Sequence, residues 1–166
     1  MTKQEIEDFL KFAKENAKKS PTDFTYQSYI LPHNDMRELL GKIIESFHSL
    51  EKDMNDLLKL AVDKGTYHGN RKFNFDEYIS ASNIIKNLKD DLIKSDEITD
   101  KLLSIIKFRN YVIHEYSLHD NRFQIEESFP DFLCMIFEVN DYIQNLINKV
   151  SGSNAVYIRN VFDTMQ

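Results

Sequence analysis

Apolar residues recur every three to four positions through most of this chain, with little to interrupt them. From Asn34 or Asp35 to about Lys64, the series Met36, Leu39, Leu40, Ile43, Phe47, Leu50, Leu57, Leu58 and Ala61 follows the period of a helix with one dry face. Gly65 is placed to close it, and a bend or break is expected near Lys52 to Asn55. Only four glycines and three prolines occur in 166 residues, so long helices joined by short turns are favoured.

The same period places four more helices. Residues 2–19 combine a Thr2 to Glu5 capping box with Ile6, Phe9, Leu10, Ala13 and Ala17 on a common side. Ser20-Pro21 stops that helix, and residues 21–33 read as an aromatic connector. A third helix is expected over about Asp76 to Lys94, with Ile85, Leu88 and Leu92 inward, and a fourth within Ser95 to Leu118. Ser128 and Pro130 resemble a helix start, followed by Phe132, Leu133, Ile136, Phe137, Val139, Ile143, Leu146 and Ile147 up to about Val150. After Ser151-Gly152-Ser153 the tail suits a short sixth helix or a partner-binding arm. The expectation is an all-α, up-and-down bundle in one domain spanning 1–166, with a variable leader at 1–33 and a tail at 152–166.

Composition excludes several classes. Cys134 is the only cysteine, so no intramolecular disulfide can form and a reducing, cytoplasmic compartment is expected. The first residues are too charged for a signal peptide, and no apolar run approaches the roughly 20 residues that span a bilayer. A formal net charge of -6 argues against broad attraction to nucleic acid, but leaves room for a small basic cleft. No dinucleotide fingerprint, P-loop, zinc-protease motif or serine-hydrolase elbow occurs in the sequence.

Within Ser95 to Leu118, the period aligns Ile98, Leu102, Ile105, Ile106, Val112, Ile113 and Tyr116, with Arg109 in the middle of the stripe. A guanidinium there must be paired, reach a wet cleft or meet an anion. His114 lies about 140° around the helix from Arg109 and about 7.5 Å along it. Imidazole can move a proton from a hydroxyl nucleophile or to a leaving oxygen, and arginine can hold charge building on a phosphoryl group. The pair suits attack of an RNA 2′-hydroxyl on the adjacent phosphate without a metal. Two copies across a two-fold interface would converge more readily than the pair within one chain. A plainer reading has Arg109 held by a carboxylate and His114 as a polar edge residue.

The segment FRNYVIHEY, residues 108 to 116, resembles the signature of the HEPN superfamily, particularly its HepT-like toxins: Arg, four residues, His, one residue, Tyr. Arg109, His114 and Tyr116 match its three positions, and Asn110 matches the polar residue that follows the Arg. The resemblance implies a helical bundle, a homodimer with two motifs around a shared cleft, and metal-independent endoribonuclease activity in a toxin-antitoxin pair. Arg109 and His114 would be catalytic, Asn110 would orient the site or bind phosphate, and Tyr116 could be adenylylated by a nucleotidyltransferase antitoxin. No cofactor is implied. A noncatalytic helical module that binds RNA, nucleotide or a partner protein is the competing expectation.

The remaining candidates read more plainly. Arg71 and Lys72, beside Tyr67, Phe73 and Phe75, could contact a single RNA strand. Glu45 and His48 have the E-x-x-H spacing of di-iron bundles but no second copy, so a solvated face is expected. His114 and His119 lack further zinc ligands, His33 and His68 fall in connectors, and Asp90 and Asp91 suit surface pairing with lysines. Cys134 sits among Phe132, Leu133, Met135 and Ile136 and should be buried. No metal site is expected.

Overall fold

The computed structural model describes residues 2–17, 36–89, 91–114 and 122–152. Their helices are α1 (Lys3–Ala17), α2 (Met36–Asp63), α3 (Ala81–Leu88), α4 (Asp96–His114) and α5 (Arg122–Ser151). They form an all-α, up-and-down bundle: α5 packs against α1, α2 and α4, while α3 joins α2 to α4. Among the described residues, no helix is long and apolar enough to cross a membrane. The expected aromatic connector, the sixth helix, Tyr116, His33, His119 and Asp90 lie outside the described residues.

Helix ends follow the chemistry of their terminal residues. At α1, the Thr2 backbone N–H donates to Glu5 Oε2 at 2.7 Å, and the Glu5 N–H donates back to Thr2 Oγ1 at 3.2 Å. This reciprocal box satisfies amide groups that the helix itself leaves without partners. At the end of α2, Thr66 N–H reaches Ala61 O at 2.9 Å and Gly65 N–H reaches Val62 O at 3.1 Å. That pair of bonds needs a left-handed residue at Gly65, whose φ is 70°. Helix α2 runs unbroken through Lys52 to Asn55.

Helix α3 is shorter than the expected span of 76–94. Asn74 Oδ1 accepts the Asp76 N–H at 3.2 Å, and Asn74 Nδ2 donates to Glu77 Oε1 at 3.0 Å. This side-chain turn competes with helix, as short polar residues do, and Ser80 is still extended at ψ 144°. Beyond Leu88, both Leu92 and Ile93 donate to its carbonyl, at 2.9 and 2.8 Å. The chain then turns so that Ile93 enters the core.

Helix α5 starts at Arg122, before the expected Ser128 start, and carries Pro130 inside it. Proline removes an amide donor and costs about 3 kcal/mol within a helix. Phe129, Phe132 and Leu133 around it are each fully buried, and each contributes about 1.5–3 kcal/mol on burial. Packing therefore outweighs the proline penalty. Phe108 of α4 stacks on Phe132 with ring centres 3.6 Å apart and planes 3° apart, and meets Phe129 edge-on at 5.9 Å.

That stack turns α4 away from the expected stripe. Its buried face comprises Ile98, Lys101, Leu102, Ile105, Phe108, Tyr111 and Val112, among others. Ile106 is half-buried and Ile113 is 44% exposed. The fully buried cation is Lys101 rather than Arg109. Its ammonium lies 2.7 Å from Glu138 Oε1 on α5 and 3.1 Å from Glu97 Oε1, one turn earlier on α4. Burial, then the nearby Glu138 charge, raises the Asp141 carboxyl above its usual range.

Glu138→Leu alone should cost about 3 kcal/mol, because it deprives a buried ammonium of its closest partner. Adding Lys101→Met should recover most of that loss in urea unfolding. The Glu5 pKa is lowered, first by the Thr2 backbone bond and then by the Thr2 side chain. Its contribution is therefore complete above the ordinary carboxylate range and is lost as pH falls through the lowered value. Glu5→Gln should depress the melting temperature at pH 7, and that deficit should vanish in strong acid.

Candidate functional site

Ser95 begins α4 by accepting the Ile98 N–H on its hydroxyl at 3.3 Å and the Thr99 N–H on its carbonyl at 3.0 Å. From there, Phe108 and Lys101 set which way each later side chain points. Counting 100° per residue, Ile106 and Ile113 lie within about 60° of Arg109, whereas His114 lies about 140° away. The outward surface carries Leu103, 39% exposed, with Ile106, Asn110 and Ile113. Arg109 and His114 occupy its two flanks.

Arg109 leans toward α2. Its guanidinium carbon stands 5.3 Å from the centre of the Phe47 ring, within the range of a cation–π contact. Nη1 donates to Asn110 Oδ1 at 2.9 Å. Nε is buried without a hydrogen-bond partner among the described residues. Among the described residues, Arg109 therefore meets an aromatic face and a neighbouring amide rather than the carboxylate of the plainer reading.

Tyr78 stands near this flank, 79% exposed, with its hydroxyl donating to Glu51 Oε1 at 3.3 Å. Its pKa is raised, first by partial desolvation of the hydroxyl and then by Glu51, with Arg109 pulling the other way. Tyr78 falls at the start of the span where the sequence suggests a helix and off its apolar series, so only the structure brings it beside Glu51.

His114 is exposed and, with Asn110, lines a groove of about 570 Å³ between α4 and α1. Helix α1 contributes Glu5, Asp8, Phe9 and Phe12, and α4 adds Ser104, Lys107 and Tyr111. Lys107 Nζ lies 6.0 Å from the Phe9 ring centre. Asp8 accepts a 2.9 Å bond from the Gln4 amide, one turn away. The groove therefore joins an apolar wall, two carboxylates, an ammonium and an imidazole. Arg109 is not among its lining residues.

The other sequence candidates fall elsewhere. Arg71 and Lys72 are exposed in the loop after α2, and Arg71 lies 5.5 Å from the Phe73 ring centre. Phe73 meets Tyr67 edge-on at 5.4 Å and Phe75 at 5.9 Å, while the Tyr67 hydroxyl donates to Asn87 at 3.1 Å. A Cβ at Gly69 would strike the Tyr67 ring, so this loop needs glycine for close approach. Its aromatic rings pack on one another and against the core.

Glu45 and His48 lie exposed on α2, with Glu45 3.6 Å from Lys42. Cys134 is buried. His68 is exposed, and its N–H donates to Asp91 Oδ2 at 3.0 Å rather than leaving Asp91 to a lysine alone. Among the described residues, no group of three His, Cys, Asp or Glu side chains could hold a metal ion. No family model matches the chain, and no curated protein or solved structure matches it.

Because His114 is exposed, His114→Ala should leave unfolding free energy within about 0.5 kcal/mol of the parent. Arg109→Ala should cost about 1 kcal/mol through lost contact with Phe47. Denaturant unfolding checks both, and a larger His114 effect would tie that residue to the core.

Proposed function

We propose that the protein is a metal-independent endoribonuclease that acts as a homodimer paired through α4. The supporting observation is the ridge of exposed Leu103 and Ile113 with half-buried Ile106 between them, flanked by Arg109 on one side and His114 on the other. A two-fold interface presents the same patch from both copies. Pairing these ridges would cover apolar surface and bring Arg109 of one protomer toward the other protomer's His114. The resemblance of residues 108 to 116 to the HepT-like signature supports the same pairing.

In this reading, His114 takes the proton from an RNA 2′-hydroxyl as that oxygen bonds to the adjacent phosphorus. The bond from phosphorus to the 5′-oxygen breaks, and the leaving oxygen receives a proton from imidazolium. The products are a 2′,3′-cyclic phosphate and a 5′-hydroxyl. Arg109 stabilises charge on the phosphoryl oxygens during the exchange, while Asn110 holds one guanidinium nitrogen through the 2.9 Å bond. Tyr116, two residues beyond His114, would be the acceptor for silencing by an antitoxin nucleotidyltransferase. The acidic net charge of -6 favours the second reading, a noncatalytic module that binds a partner.

Purified protein in EDTA should cleave single-stranded RNA to cyclic-phosphate ends. His114→Ala and Arg109→Ala should each lower kcat at least about 100-fold while remaining folded and dimeric. Ile113→Glu should yield a folded monomer in sedimentation and lose cleavage with the dimer. Full activity in the His114 variant would rule out its role, and an active monomer would rule out a shared site.

A further inference from the structure

We infer that the groove between α1 and α4 is a guanine-binding subsite for the RNA nucleotide next to the bond cleaved at His114. This subsite rests on the ribonuclease reading above. A cavity of about 570 Å³ lies within the roughly 300–1,000 Å³ range typical of small-ligand sites. Phe9 and Phe12, both half-buried, offer apolar surface for a planar ring, with the buried Tyr111 beneath. Lys107 and His114 supply cationic or hydrogen-bonding groups for the attached phosphate. Those groups come from α4, whereas both carboxylates come from α1.

Glu5 and Asp8 narrow the choice of base. A guanine edge presents adjacent donors, N1–H and the 2-amino group, which suit carboxylate oxygens. Uracil places carbonyl oxygens on both sides of its single N–H, and these would face the carboxylates unfavourably. Adenine and cytosine each offer an amino group beside a ring nitrogen that accepts, so only one member of the edge is matched. Two carboxylates against one lysine also disfavour a bare polyanion, while a neutral base carrying a single phosphate matches this mixture of groups. Glu5 is committed through Oε2 to the α1 cap, which makes Asp8 the better residue to alter.

The test is NMR titration of the full chain with 3′-GMP and, separately, 3′-UMP in EDTA, followed on the His114 and Phe12 ring signals. Binding of 3′-GMP should be tighter by about tenfold, the worth of one net hydrogen bond. Asp8→Ala and Phe12→Ala should each narrow that gap while circular dichroism stays unchanged. Equal affinity for the two nucleotides, or a full gap in both folded variants, overturns the subsite. RNA cleavage is scored on the same preparations. Cleavage without guanine preference removes the subsite alone, whereas guanine preference without cleavage of any RNA removes the ribonuclease reading and leaves a nucleotide-binding groove.

Discussion

The stack of Phe108 on Phe132 decides the arrangement of the rest. Rings 3.6 Å apart and nearly coplanar hold α4 at one rotation about its axis, because a turn of even one residue would move Phe108 by about 100°. Once that rotation is set, Lys101 must enter the core, where Glu138 of α5 and Glu97 of its own helix accompany it at 2.7 and 3.1 Å. The same rotation leaves Leu103 and Ile113 exposed and Ile106 half-buried, and carries Arg109 and His114 to opposite edges. A packing contact deep in the bundle thereby governs which side chains α4 presents on its outward surface.

Polar groups in the bundle follow a consistent division. The charge of Lys101 in the core is balanced by Glu138 across helices and by Glu97 within its own. On the outward face of α4, Arg109 lies against an aromatic ring and bonds an amide. Phe47 and Asn110 orient the guanidinium, which in the proposed reaction meets the charge on the phosphoryl group. Helix α1 adds an acidic and aromatic wall opposite His114, so the proposed chemistry and the proposed recognition meet in residues from two separate helices.

The balance of local preference and packing also differs along the chain. Thr2 with Glu5 and Gly65 form the caps that their residue types favour, since those bonds need only a few neighbouring residues. Asn74 shortens the expected third helix by equally local means. Pro130 shows the reverse: its missing donor marks a helix start in isolation, yet the buried Phe129, Phe132 and Leu133 keep α5 continuous across it.

By itself, the sequence determined the all-helical class, the approximate course of the long helices and the placement of Arg109, Asn110 and His114 on one of them. Periodicity and capping are properties of neighbours, so they can be read along a line. It could not determine which of two overlapping apolar stripes on α4 faces inward, because Ile106 and Ile113 are as apolar as Phe108 and Tyr111. Tertiary structure made that choice through the Phe132 stack. It also decided that Lys101 is buried, that Arg109 rests on Phe47, and that Glu5, Asp8 and Phe12 line a groove with His114. Each depends on contact between residues far apart in the chain, for which neither period nor spacing leaves a mark.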